Sequence, residues 1–157
     1  MPEIVGRLRA IGRVAVLVTR YNELVTARLL EGALACCREA GIQETDVDVI
    51  WLPGAFELGA GAAVAAESGR YAAIVALGCV IRGETAHFQF VAGEAARGLS
   101  EVAVRTGIPV GFGVLTTEDL EQALARAGGE AGNKGHEAAE AAITAADVLA
   151  QIRDGRA

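Results

Sequence analysis

Four short apolar or β-branched runs alternate along the chain with segments of helical periodicity, and this alternation restricts the fold more than any other feature. The runs are "RVAVLV" at 13–18, "DVDVIWL" at 46–52, "YAAIVALGCVI" at 71–81 and "IPVGFGVL" at 108–115. Strands alternating with helices build a mostly parallel sheet, and such a sheet is covered by helices on both faces. The expectation is an α/β chain, a three-layer αβα sandwich. At 157 residues it fits one domain spanning 1–157.

Between the first two runs, Ala27, Leu30, Leu34 and Cys37 share a helical face, and Gly41 is placed to cap its end. An Ala-rich helix is expected from Phe56 to Ser68, with side chains small enough to let it lie close to the sheet. After a turn at Arg82 to Thr85, apolar positions recur at Phe88, Val91, Ala95, Leu99 and Val102, and Gly107 ends the helix. Thr116 and Thr117 are N-cap candidates for a fourth helix reaching about Ala127, with Glu118 and Asp119 in its first turn. A glycine-rich break, "GGEAGNKG", precedes a last helix in which Ala138, Ala142, Ala145, Leu149 and Ile152 share a face.

Composition narrows the partners. Hydrophobic residues make up 52% of the chain against 22% charged, and the mean hydropathy of +0.36 points to surface buried against further copies, hence a homo-oligomer. The net charge is −6 and the basic residues are scattered, which argues against a nucleic-acid partner. The apolar run near the N-terminus is broken by arginines and too short for a signal segment or a membrane span, so no membrane association and a cytoplasmic address are expected. Cys36, Cys37 and Cys79 have neither CxxC spacing nor a nearby histidine pair, so spacing shows no metal site. Helix packing, with Cys37 inward, accounts for the first two in a reducing compartment.

In open parallel sheets ligands sit beyond the carboxyl ends of the strands, and here each strand end carries polar or aromatic residues. Glu84, Thr85 and His87 stand at the start of a helix, where free backbone N–H groups and the positive end of the dipole attract a phosphate or carboxylate. Thr85 could instead simply cap that helix. Histidine is suited to exchanging protons in either direction near neutrality, and its place after a strand favours function for His87, whereas His136 reads as a solvent-facing residue. Tyr21 offers either a stacking face for a planar ring or a core contact. Glu57 could receive ligand hydroxyls or satisfy a helix N-terminus. Arg126 and Lys134, flanking the glycine-rich break, read by themselves as solvated charge. "GAGAAV" at 59–64 lies inside a helix and is no dinucleotide turn, "GNKG" lacks a P-loop ending, and no GxSxG, HExxH or Ser-His-Asp order is present. If this is an enzyme, its nucleophile belongs to the substrate.

The blocks "RYNELVTARLLEGA", "LPGAFELG", "ALGCVIRGETAHF", "PVGFGVLTTEDLEQALARAG" and "GNKGHEAAEAA" resemble, in order and spacing, those of the lumazine synthase family of riboflavin biosynthesis. The resemblance covers nearly all of the chain from the first strand to the last helix. It implies a flavodoxin-like sheet and condensation of 5-amino-6-(D-ribitylamino)uracil with 3,4-dihydroxy-2-butanone 4-phosphate, two small-molecule substrates, to 6,7-dimethyl-8-ribityllumazine, phosphate and water. No metal or other cofactor is implied. Carried over by position, Tyr21 would stack on the pyrimidine, while Ala55, Phe56 and Glu57 would bind the ring and the ribityl chain. Cys79, Val80 and Ile81 would line the heterocycle, Glu84 and Thr85 would cradle the phosphate through backbone amides, and His87 would move protons. Phe112, Arg126 and Lys134 match positions that the family contributes from the neighbouring subunit, for the ring pocket, the phosphate and the ribityl region respectively.

The resemblance also implies pentamers, some of which close into icosahedral capsids, and the short "RAGGEAGNKG" break leans toward the capsid. Tyr21 stands where Phe or Trp is more usual, Ala86 where a second hydroxyl residue is frequent, and Cys79 where Thr or Ala is common; these departures bear on affinity. The alternatives are a non-catalytic flavin- or lumazine-binding shell and a relative of archaeal-type riboflavin synthase, which would consume the lumazine.

Overall fold

All six residues of β1, Val14–Thr19, are buried, because the strand lies inside the sheet. β2 (Val47–Leu52) pairs with one side of it and β3 (Ala73–Ile81) with the other, and β4 (Val110–Thr117) lies beyond β3. All three pairings are parallel. The computed structural model describes residues 1–155 and has the expected α/β architecture.

The period-2 alternation of the inner strands sorts the layers. Val14, Val16, Val18, Val75 and Leu77 pack toward α1 (Glu23–Glu39) and α5 (Lys134–Arg153). Ala15, Leu17, Ile74 and Ala76 pack toward α2 (Leu58–Glu67) and α3 (His87–Thr106). The small side chains of α2 allow the close approach that its composition suggests: a Cβ on Gly61 would fall 2.6 Å from Leu52 Cδ1. Gly41 and Gly107 follow α1 and α3 with positive φ, as C-terminal glycines do. Among the described residues, no helix is long and apolar enough to cross a membrane.

Several expectations need correction. The buried face of α1 is Val25, Thr26, Leu29, Ala33, Cys36 and Cys37, while Ala27, Leu30 and Leu34 form a half-buried flank. In α5, Ala138 and Ala142 point inward with Ala139, Ile143 and Ala146; Ala145 and Leu149 are half-buried and Ile152 is exposed. Both helices are apolar over more than one face, so spacing alone does not select the face that docks.

Strand β4 extends through Thr117, which removes Thr116 and Thr117 as caps. Asp119 caps the next helix instead, its carboxylate accepting the Gln122 N–H at 2.8 Å. That helix, α4, is only Leu120–Ala125. The glycine-rich break is an antiparallel hairpin of β5 (Ala127–Gly129) and β6 (Gly132–Asn133). Its glycines offer no side-chain alternation to announce a strand.

Two long-range clasps fix the α1/α5 layer. Asn133 Oδ1 caps α5 by accepting from the Gly135 and His136 amides at 2.8 and 3.2 Å, while its Nδ2 donates to the Arg28 carbonyl at 3.0 Å. A Cβ on Gly135 would collide with the Leu29 backbone. Farther along α5, the buried Asp147 accepts from the Arg7 amide at 2.9 Å and from Arg9 Nε at 2.6 Å. The Arg7 amide foremost, with Arg9, holds its carboxyl below the usual carboxylate range although burial opposes this.

Candidate active site

The chain leaves β1 for β2 by way of α1 on one face, then crosses back to β3 by way of α2 on the other. The carboxyl ends of β1 and β3 therefore flank the point where the strand order reverses, the place where open α/β sheets bind ligands. A cleft of about 590 Å³ opens there.

Backbone bonds stitch its rim. The Arg20 N–H donates to the Leu52 carbonyl at 2.8 Å, and the Tyr21 N–H to the Pro53 carbonyl at 2.9 Å, tying the turn after β1 to the turn after β2. Arg20 itself points away from this role: its guanidinium lies 4.2 Å from the Trp51 ring centroid and pairs with Glu23. Asn22 takes the left-handed conformation, φ 61°, which asparagine tolerates better than most residues. Its side-chain amide donates to the Cys79 carbonyl at 2.8 Å, joining the end of β1 to that of β3. Held in this turn, Tyr21 is 65% exposed and lines the cleft.

Ala55, Glu57, Cys79, Val80 and Ile81 line the cleft as well. Glu57 serves local structure with one carboxylate oxygen, which accepts the Gly54 N–H at 3.2 Å ahead of α2. Phe56, 62% exposed, presents an apolar ring at the same mouth. Burial pushes the Cys79 thiol up to about 11, so it stays protonated near neutrality and is a poor nucleophile.

On the other side stands the N-terminus of α3, a helix of 20 residues whose N-cap is Ala86. Alanine cannot cap with its side chain, and the first turn of α3 contains no acidic residue. Thr85 Oγ1 meets the His87 N–H only at 3.4 Å. The positive end of the helix thus opens beside Gly83, Thr85 and His87, all of which line the cleft. Such an end can take a phosphate or carboxylate.

The cleft therefore gathers Tyr21, Ala55, Phe56, Glu57, Cys79, Val80, Ile81, Thr85 and His87. Glu84 is exposed next to it and is not a lining residue. Phe112 and Lys134 face a separate cleft of about 470 Å³ between β4 and α5. Arg126 lines neither; its guanidinium donates to the Gln122 carbonyl at 3.0 Å. The β5–β6 hairpin sets Arg126 and Lys134 side by side, with the Lys134 N–H donating to the Arg126 carbonyl at 2.9 Å.

Asn22 and Gly54, within the strand-end segments Arg20 to Asn22 and Pro53 to Glu57 that the sequence points to, also line the cleft, whereas sequence reasoning did not single out Phe88, Phe90 or Val91 as cleft residues. Phe90, 72% exposed, carried a signal: it interrupts the apolar periodicity of α3 on the side away from the core. Outside the cleft, Cys36, Glu39 and His136 approach closely enough to share an ion, a grouping hidden from spacing because His136 lies 97 residues beyond Glu39. His136 is not simply turned to solvent, since its Nε2 lies 2.8 Å from Glu39 Oε2.

The family model of 6,7-dimethyl-8-ribityllumazine synthase matches residues 12–150. The chain is also similar to the 6,7-dimethyl-8-ribityllumazine synthase of Edwardsiella ictaluri (strain 93-146), 51% identical over 142 residues that cover 90% of this chain and 91% of that protein.

Proposed function

The chain belongs to the 6,7-dimethyl-8-ribityllumazine synthase family, and from that premise we propose how its residues perform the family's condensation. The enzyme is a transferase that joins 5-amino-6-(D-ribitylamino)uracil to 3,4-dihydroxy-2-butanone 4-phosphate in riboflavin biosynthesis. The carrying observation is the cleft at the strand-order reversal, with Tyr21 on one wall and the uncapped start of α3 beside His87 on another.

The amine of the pyrimidine attacks the ketone, a Schiff base forms, phosphate leaves, and ring closure with loss of water completes the lumazine. The nucleophile comes from the substrate, which suits a cleft whose thiol, Cys79, is held protonated. Tyr21 and Phe56 sandwich or flank the planar ring, Val80 and Ile81 line its apolar surroundings, and the free oxygen of Glu57 takes ribityl hydroxyls. The backbone amides of Glu84 and Thr85 receive the phosphate at the positive end of α3. His87, next to that anion, takes and returns protons as water and phosphate depart. Most of the acceleration comes from holding the two substrates in register.

The missing wall is supplied by a second copy. Phe112, Lys134 and Arg126 lie outside the cleft of their own chain, and in the assembly they complete a neighbour's cleft: Phe112 over the ring, Arg126 on the phosphate, Lys134 near the ribityl chain. Exposed apolar side chains such as Leu24, Val64 and Val104 supply surface for such contacts. The assembly is built of pentamers, and the short break between α4 and α5 favours their closure into an icosahedral capsid. Residues 1–157 act as one domain, and the free state of Cys36, Cys37 and Cys79 fits a cytoplasmic setting.

The test is the absorbance of lumazine formed from both substrates by purified protein in EDTA, corrected for the spontaneous reaction, with the assembly sized by sedimentation. Protein-dependent product from a pentamer or larger species is expected. An intact assembly that binds lumazine without forming it would overturn the catalytic reading in favour of a binding shell, and an active monomer would overturn the shared site.

A further inference from the structure

The seam between α1 and α5 brings together a second set of chemistry-bearing side chains. Cys36 and Glu39 lie one turn apart on α1, His136 stands in the first turn of α5, and their sulfur, oxygen and nitrogen ligand atoms fall within 4.8 Å of one another. We propose that these three residues form a site for a divalent transition metal of borderline softness, with zinc as the natural occupant and cobalt as its spectroscopic substitute.

The donor set carries the choice of ion. Thiolate, imidazole and carboxylate together suit zinc, whereas magnesium and calcium require oxygen ligands. Tetrahedral bonds of about 2.0–2.3 Å place neighbouring donor atoms about 3.3–3.8 Å apart. His136 Nε2 and Glu39 Oε2 are now 2.8 Å apart, so small side-chain rotations open the space for an ion between them. Glu140, one turn farther along α5, stands 3.8 Å from His136 Nδ1. There it can accept the Nδ1 proton and leave Nε2 for the metal, the usual outer support of a metal-bound histidine.

The scaffold is rigid and the charge closes. Gly135 packed on Leu29, and Asn133 bonded to Arg28, prevent α5 from sliding along α1. Cys36 is fully buried, while the partly exposed Glu39 and His136 form a path from solvent. Burial first, with Cys37, Glu39 and Glu140 adding negative charge, pushes the Cys36 thiol up to about 12. The ion must therefore displace that proton: the S–H bond breaks, an S–metal bond forms and the proton leaves to water. One thiolate and one carboxylate then neutralise the two positive charges, and a water fills the fourth position.

The full-length assembly is stripped with EDTA, desalted under reducing conditions and titrated anaerobically with cobalt. Saturation at one ion per chain is expected, with a near-ultraviolet thiolate-to-cobalt band and intense visible bands of tetrahedral cobalt, both abolished by zinc. Cys36→Ser should remove the thiolate band and His136→Gln should weaken binding at least about tenfold, whereas Cys37→Ala should keep both signals. His136→Gln alters a partly exposed side chain, so it probes the site even if Cys36→Ser folds poorly. Absence of saturable binding, or a cobalt spectrum unchanged in His136→Gln, would overturn the site.

Discussion

The ring of Tyr21 lies against the backbone of Gly54, so closely that a Cβ on the glycine would stand 2.5 Å from Tyr21 Cδ2. The position of this ring at the cleft thus depends on a missing methyl group in the next loop. Gly54→Ala should displace the ring without disturbing the sheet, because both residues lie beyond the strand ends. The expected result is a KM for the pyrimidine raised roughly tenfold, the scale of one lost aromatic contact, with the KM for the phosphate substrate little changed. Steady-state kinetics with each substrate varied in turn would check this, and equal effects on both would count against ring stacking by Tyr21.

His87 and Arg126 should fail in different ways. His87→Ala is expected to lower kcat about 100-fold, within the range for a positioned proton-transfer group, whereas Arg126→Ala should raise the KM for the phosphate substrate at least about tenfold, as losing a charged hydrogen bond does. If Arg126 serves a neighbour, dissociating and mixing the two variants should regenerate sites with intact His87 from one chain and intact Arg126 from the other. Activity that stays at the level of the unmixed variants, in assemblies shown to be mixed, would refute a shared site.

Asn22 combines a left-handed backbone with a side-chain bond across to Cys79. Asn22→Ala forfeits both, about 2 kcal/mol in sum. Asn22→Gly restores the backbone freedom and loses only the bond. Thermal melts should therefore rank the parent above Gly and Gly above Ala, and both variants should weaken pyrimidine binding as the Tyr21 turn loosens. A tie between Gly and Ala would show that the left-handed conformation contributes nothing.

The thiols should make the fold sensitive to alkali. Burial raises Cys36 to about 12 and Cys79 to about 11, and raises Cys37 as well, from an ordinary value of 9.0. Above that ordinary value the unfolded chain releases thiol protons that the folded chain retains, so stability falls as pH climbs from 9 toward the folded values. Below it the thiols contribute no slope. Urea midpoints measured from pH 7 to 10.5 should decline above 9, less steeply in Cys79→Ala, and iodoacetamide at pH 8 should label the folded protein far more slowly than the unfolded one.

What the sequence makes legible follows from how locally each feature is determined. β1 and β3 are inner strands, and their nearly continuous apolar runs already require cover on both faces. Positions after strand ends likewise brought Tyr21, Thr85 and His87 into view, because a parallel sheet collects those ends on one side. The docking faces of α1 and α5 were not legible, since Leu30 and Leu34 are as apolar as Leu29 and Ala33, and only the partner helix chooses between them. The hairpin at Ala127–Asn133 has no alternating side chains to betray it. Asp147 looks like an ordinary helix-surface acid until the N-terminal arm folds back across 140 residues to reach it.

Phe112 and Lys134 open onto a cleft of their own, apart from the one that contains His87. On the shared-site reading, each gene product then has two separable phenotypes, one expressed in its own cleft and one in the cleft of the chain beside it. A cell carrying one allele damaged at His87 and another damaged at Arg126 would grow without added riboflavin, although neither allele suffices alone. Two different lesions at His87 would not complement. Inheritance at this locus would follow which chains sit next to each other, and a count of intact copies would predict it poorly.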